Sequence, residues 1–305
     1  MTDERDSGEV LYQTTQGQTT QGQTAQGGVA IVTMNRPQYR NAQNAKMTYA
    51  LDDAFSRAVR DDAIKVIVLA GAGDHFSAGH DIGTPARDIH RSFPRVATSW
   101  WEHEDKKGAE NIFVREQELY LGMCRRWREL PKPTIAMVQG ACIAGGLMLA
   151  WICDLIVAAE DAFFSDPVMK MGIPGVEYFA HPFVMSPRQA KEFLFLGERM
   201  GAADALRIGM VNRVVPRARL LEETLAIAAR IATMPRFGLA LAKKAINQAE
   251  DRMGLRDAID ATYGLHQLAH AHNAMTSEDH LGGHDAKSMA EKSEKKDTKT
   301  QEDGP

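Results

Sequence analysis

The sequence predicts an α/β protein. Apolar strand-like runs alternate with amphipathic helices along most of the chain, and the pattern from Pro187 onward is mostly helical. Two glycine-containing loops, each following a strand-like run, are the places where a ligand could meet backbone.

In chain order, the apolar segments Val10-Leu11-Tyr12 and 29–34 flank a degenerate five-residue repeat at 14–18, 19–23 and 24–28. Glycine, glutamine and threonine cannot build a core, so the repeat is expected to be a flexible loop inside an antiparallel pair. Lengthening such a turn costs little, because closure entropy grows only logarithmically. Met47, Leu51, Ala54, Phe55 and Ala58 recur at helical spacing and precede the apolar run 66–70, which ends at Gly71. The run 134–138 leads through a glycine loop at 140–146 into an apolar helix ending near Trp151, and 155–159 and 162–164 are further strands. Helices are predicted at 187–196, 202–209, 218–233, 236–250 and 255–272. The chain therefore divides into an N-terminal strand with its repeat (1–28), a core (29–215, with its first strand from about residue 10), a helical region (216–281) and a tail (282–305). The tail has almost no large apolar residue and is expected to be disordered.

With 305 residues, 44% hydrophobic, the chain can bury a sizeable core as one large domain or two ordinary ones. Forty acidic residues against thirty-six basic ones give a net charge of −4, with no long basic block, which argues against nucleic acid as a partner. No apolar run approaches the ~20 residues of a membrane span. The N-terminus lacks the basic and apolar regions of a signal peptide. Cys124, Cys142 and Cys153 have no metal-type spacing, so no metal site is expected and the thiols should be buried and reduced, as in a cytoplasmic protein.

The two loops are Phe76-Ser77-Ala78-Gly79-His80-Asp81 and Gly140-Ala141-Cys142-Ile143-Ala144-Gly145-Gly146. Small residues let backbone approach a ligand, and the first N–H groups of a helix, which lack intrahelical acceptors, suit an anionic oxygen. Neither loop has the spacing of a nucleotide-binding loop.

Four stretches in order, Asn35-Arg36-Pro37 with Asn41-Ala42, the 76–81 loop, residues 135–154, and Ser165-Asp166-Pro167 with Met171-Gly172-Ile173-Pro174-Gly175, resemble the crotonase (enoyl-CoA hydratase/isomerase) superfamily. The resemblance runs from about residue 10 to 272. It implies a spiral of ββα units, a helical C-terminal region that forms trimers or hexamers, and stabilisation of an acyl-CoA thioester enolate by two backbone N–H groups. Carried over, the donors fall on Ala78 and Gly145. Ala78, Gly79, His80 and Asp81 would line the path of coenzyme A, the only cofactor implied, as part of the substrate. Lys243 would offer a cation towards the CoA phosphate of a neighbouring subunit.

The chain departs from the resemblance where hydratases carry two glutamates that move the protons of water. Met148 and Val168 occupy those positions. Each general acid or base is worth ~10²–10⁴-fold, so ordinary hydration should be slow. Candidate replacements are Glu177, Asp166 and His103. His103 lies in an insertion (85–115) whose Trp100-Trp101-Glu102-His103-Glu104-Asp105 segment is expected to be an amphipathic helix with tryptophan inward. The Arg125-Arg126-Trp127-Arg128 cluster is expected to be a solvated helix face. The expected function is an acyl-CoA-processing enzyme of the hydratase/isomerase kind. Isomerisation, hydrolysis, C–C cleavage or non-catalytic acyl-CoA binding are the alternatives.

Overall fold

The computed structural model describes residues 8–18, 24–84, 97–277 and 280–282. Six strands form the main sheet: β1 (Val10–Gln18), β2 (Thr24–Met34), β3 (Ile64–Gly71), β4 (Thr134–Val138), β6 (Leu155–Ala159) and β9 (Arg213–Val215). Their spatial order is β1-β2-β3-β4-β6-β9, antiparallel at β1/β2 and parallel from there on. A second sheet joins β5 (Ala141–Ile143), β7 (Phe163–Ser165) and β8 (Met200–Gly201).

The central strands are continuous apolar runs because both faces of the sheet are covered. Alternate residues go to opposite sides. Val29, Ile31, Val66, Val68 and Ile135 pack under helix α8 (Leu220–Ala232), whereas Ala30, Val32, Ile67, Leu69 and Ala136 enter the larger core. That core includes the buried face of α1 (Ala45–Arg60). Asn44 starts α1 by accepting from the Met47 amide at 2.8 Å, a cap worth about 1 kcal/mol. All three cysteines are free and buried, as expected.

The repeat is a correction. Its residues 14–18 and 24–28 are strand, paired from Thr14↔Ala30 to Gln18↔Thr24, and 19–23 lie outside the described residues. Val10↔Met34 and its neighbours set the register, after which the ladder needs only backbone donors and acceptors. The predicted tail lies outside the described residues beyond 282.

The insertion also differs from expectation. Trp100 and Trp101 are 51% and 54% exposed and precede the helix instead of packing inside one. The helical stretch is α2 (Gly108–Glu116), a π-helical segment at Gln117–Gly122, and α3 (Met123–Arg128). Nor is the arginine cluster simply solvated. Arg128, only 9% exposed, pairs with Glu250 at 2.8 Å and Asp251 at 3.1 Å on α9 (Arg236–Arg252). Arg126 meets Asp52 at 2.8 Å, and Arg125 meets Asp260 on α10 (Leu255–Ser277) at 2.6 Å.

Candidate active site

The Asn35–Asn41 motif acts as a buttress. The Arg36 guanidinium reaches Asp81 at 2.9 Å, and the Asn41 amide donates to the carbonyls of Ala72 (2.9 Å) and His75 (2.8 Å). Between this segment and β5 the 76–81 loop is held residue by residue. Phe76 N–H donates to Gln139 O, Ser77 N–H to Ala141 O, Gly79 N–H to Ser77 Oγ and Asp81 N–H to Gln43 O. Ala78 N–H donates to Arg40 O at 2.9 Å. Within the loop only the His80 amide lacks an acceptor among the described residues.

This contradicts the expectation for Ala78. Ala78 has its N–H committed to the protein, and the open amide is two residues on, at His80. Gly145 is the first residue of α4 (Gly145–Trp151), and its amide has no intrahelical acceptor. The preceding Ala144 is held at φ 48° and ψ −114°, a costly conformation for a residue with a side chain. The loops touch closely. At Gly79, φ +93°, a Cβ would lie 3.0 Å from Gly145 N and 2.8 Å from Ile143 O. At Gly145, a Cβ would lie 2.6 Å from the His80 ring. A side chain at Gly79 would strike backbone, and one at Gly145 would strike the His80 ring.

The His80 imidazole stacks on Tyr120, with centroids 3.5 Å apart, and its Nε2 lies 3.2 Å from Glu177 Oε2. An ionised carboxylate can only accept, which assigns the ring proton to Nε2 and leaves a lone pair on Nδ1. That Nδ1 is buried and has no hydrogen-bond partner among the described residues. Burial would raise the Glu177 carboxyl, but the His80 imidazole beside it, with His266 behind it, holds it below its ordinary value. Behind Glu177, Glu116 faces His266 at 3.4 Å and His270 at 3.1 Å. Burial would depress His266, yet its bond to Glu116 and the charge of Glu177 push it up to about 9.

Among the expected acids and bases, Glu177 alone joins this group. Asp166 is fully buried and is engaged by His181 Nε2 at 2.9 Å and the Val176 amide at 3.1 Å. His103 lies ahead of α2, its carbonyl accepting from Asn111 and its amide donating to Glu102. Met148 and Val168, where the two glutamates would stand, are core residues. Two CoA contacts are corrected. Asp81 is buried against Arg36 and Thr84, and Lys243 is 8% exposed with its Nζ 2.9 Å from Asp154 Oδ2 in its own chain. Neither faces outward to meet a phosphate. Glu116, His266, His270 and the ring of His80 were not foreseen as a group. The spacing of His266 and His270, one turn apart on one helix, is the only signal the sequence carried.

The family model described as enoyl-CoA hydratase/isomerase matches residues 24–107 and 104–299. This chain belongs to the enoyl-CoA hydratase/isomerase family. A Mycobacterium tuberculosis protein named "Putative enoyl-CoA hydratase EchA13" is 42% identical over 253 residues, covering 80% of this chain and 78% of that one. The crystal structure of a probable enoyl-CoA hydratase from Mycobacterium smegmatis superposes with a TM-score of 0.77 at 42% identity, covering 89% of this chain and 98% of that one. An enoyl-CoA hydratase/isomerase from Xanthobacter autotrophicus Py2 gives 0.71 at 30% identity, covering 90% and 94%. The mixed α/β architecture and the helical C-terminal region are those of this family.

Proposed function

We propose that this chain is an acyl-CoA-processing enzyme that holds a thioester oxygen against the amides of His80 and Gly145. In this reading the His80–Glu177 pair moves a substrate proton in place of the two hydratase glutamates. The observation that carries it is the coincidence, at one residue, of an amide and a ring nitrogen that both lack partners among the described residues, beside the Gly145 amide. Two N–H donors stabilise the enolate oxygen, each worth ~2.7–4 kcal/mol of barrier. His80 Nδ1 is the base, and Glu177 orients the ring and balances the charge that develops on it. One such pair can take a proton from carbon and return it elsewhere, which suits isomerisation of an unsaturated acyl-CoA. Adding water would need a second proton-moving group, and Met148 and Val168 cannot supply one.

Coenzyme A enters as part of the substrate, approaching along Gly79 and His80, and no tightly held organic cofactor is invoked. The free, buried thiols favour a cytoplasmic setting. Self-association into a trimer or hexamer is supported by large apolar residues standing exposed on α9 and α10, among them Phe237, Leu265, Leu268 and Met275. Incubation with a panel of saturated and unsaturated acyl-CoAs, with products read by mass and NMR, tests the activity. Double-bond migration with slow hydration of crotonyl-CoA is the expected result. Rapid crotonyl-CoA hydration would overturn the assignment of the proton-moving groups, and binding without turnover would favour a non-catalytic acyl-CoA binder.

A further inference from the structure

We infer that Glu116, His266 and His270 form a binding site for one divalent transition-metal ion of the zinc class. The three side chains come from α2 and α10 and are 7%, 3% and 3% exposed. Their donor atoms converge. Glu116 Oε2 lies 3.4 Å from His266 Nε2, Glu116 Oε1 lies 3.1 Å from His270 Nε2, and the two Nε2 atoms are 3.0 Å apart. An ion about 2.0–2.1 Å from each ligand at near-tetrahedral angles needs donors roughly 3.3 Å apart.

The protonation pattern argues for a cation at the point of convergence. His266 Nδ1 is 2.8 Å from the carbonyl of Gly175, and His270 Nδ1 is 2.8 Å from the carbonyl of His280. A carbonyl oxygen only accepts, so both Nδ1 atoms carry hydrogen. In the neutral rings both Nε2 atoms then present lone pairs, towards each other and towards a carboxylate. Three electron-pair donors facing one point in a water-poor interior need a positive charge between them; the proton that lifts His266 supplies it in the metal-free protein, and a divalent ion would displace that proton. Backbone carbonyls on the far nitrogen are also the usual device that orients a metal-bound histidine. Gln267 Nε2 further fixes Glu116, at 2.5 Å from Oε2.

Glu177 connects this site to the other cluster. Its Oε1 lies 3.9 Å from His266 Nε2 while its Oε2 faces His80, so it offers a further oxygen beside the site. Two carboxylates and two neutral imidazoles around a doubly charged ion leave no net charge, which suits burial. Two nitrogens with carboxylate oxygens select zinc or cobalt over calcium or magnesium. The site stands whether or not the acyl-CoA reading does, because metal binding is measured without substrate.

The test uses the full chain, purified without a metal-affinity tag, stripped with a chelator and titrated with Zn²⁺ by calorimetry. A Co²⁺ titration is followed by visible absorption. The expected result is one equivalent of Zn²⁺ per chain and the intense d–d bands of a four-coordinate Co²⁺ site. His270→Ala and, separately, the near-isosteric Glu116→Gln should each weaken Zn²⁺ by more than the ~10–100-fold that loss of a supporting residue costs. Two variants of different size guard against one failing to fold, with folding checked by circular dichroism. Absence of saturable Zn²⁺ binding in the unmodified protein would overturn the proposal and leave a proton shared between the rings as the balancing charge. Binding unchanged in a folded His270→Ala or Glu116→Gln protein would overturn it equally.

Discussion

One committed hydrogen bond separates Ala78 from His80, the proposed oxyanion donor. Ala78 and His80 lie two residues apart, and a residue's type does not say which of their N–H groups finds an acceptor within the protein. The Arg40 carbonyl, brought in by the left-handed turn at Arg40 and Asn41, takes the Ala78 hydrogen. Gly145 is constrained twice, by its amide and by the imidazole packed over its Cα. Gly145→Pro deletes the donor, and kcat on any accepted acyl-CoA is expected to fall by ~10²–10³-fold. Gly145→Ala keeps the donor but drives a methyl into the His80 ring, so it should also lower kcat, with acyl-CoA binding changed far less. Steady-state kinetics of the two variants beside a fluorescence measurement of CoA-ester binding checks both. Full activity in either folded variant would remove the donor or the ring from the account.

At the scale of elements, the helix through α2 and α3 ties the site to the C-terminal helices. Glu116, the last residue of α2, faces His266 and His270, and Arg128 at the end of α3 grips Glu250 and Asp251 as well as the Asn247 carbonyl at 3.1 Å. Glu250 and Asp251 keep contact with water, so Arg128→Met should cost only ~1–3 kcal/mol of unfolding free energy, read from urea denaturation; an unchanged midpoint would contradict the clamp. Apolar runs at 66–70, 134–138 and 155–159 made the parallel strands legible, because burial on both faces leaves no polar positions. The helices from 187 onward were legible from their periodicity, to within a few residues. The segment between the loops was not, since Trp100 and Trp101 look like core residues and stand exposed. The site's chemistry was only half legible. Glu116, Glu177 and His266 are far apart in sequence, and no spacing rule joins them.

For the whole molecule, the central strands are buried on both sides by their own chain, yet α10 carries Leu265, Leu268 and Met275 at 58%, 65% and 87% exposure. Apolar area in that amount is expected to be covered by other copies of the chain. Sedimentation velocity should give a species of three or six chains, shifted towards the monomer by Leu268→Asp. A monomer at micromolar concentration would contradict the proposed assembly. The N-terminal hairpin at the far edge of the sheet shows how composition can mislead: a glutamine- and glycine-rich repeat joins a ladder once Val10 and Met34 fix its register.

The central claim is that the His80–Glu177 pair abstracts a substrate proton beside the Gly145 amide. Exchange of acyl-CoA α- or γ-protons in D₂O, followed by mass spectrometry, reads that step whatever product the enzyme releases. The unmodified protein should incorporate deuterium, and Glu177→Gln and His80→Ala should slow incorporation by ~10²–10⁴-fold while still binding the CoA ester. Exchange at the unmodified rate in either variant would contradict the claim.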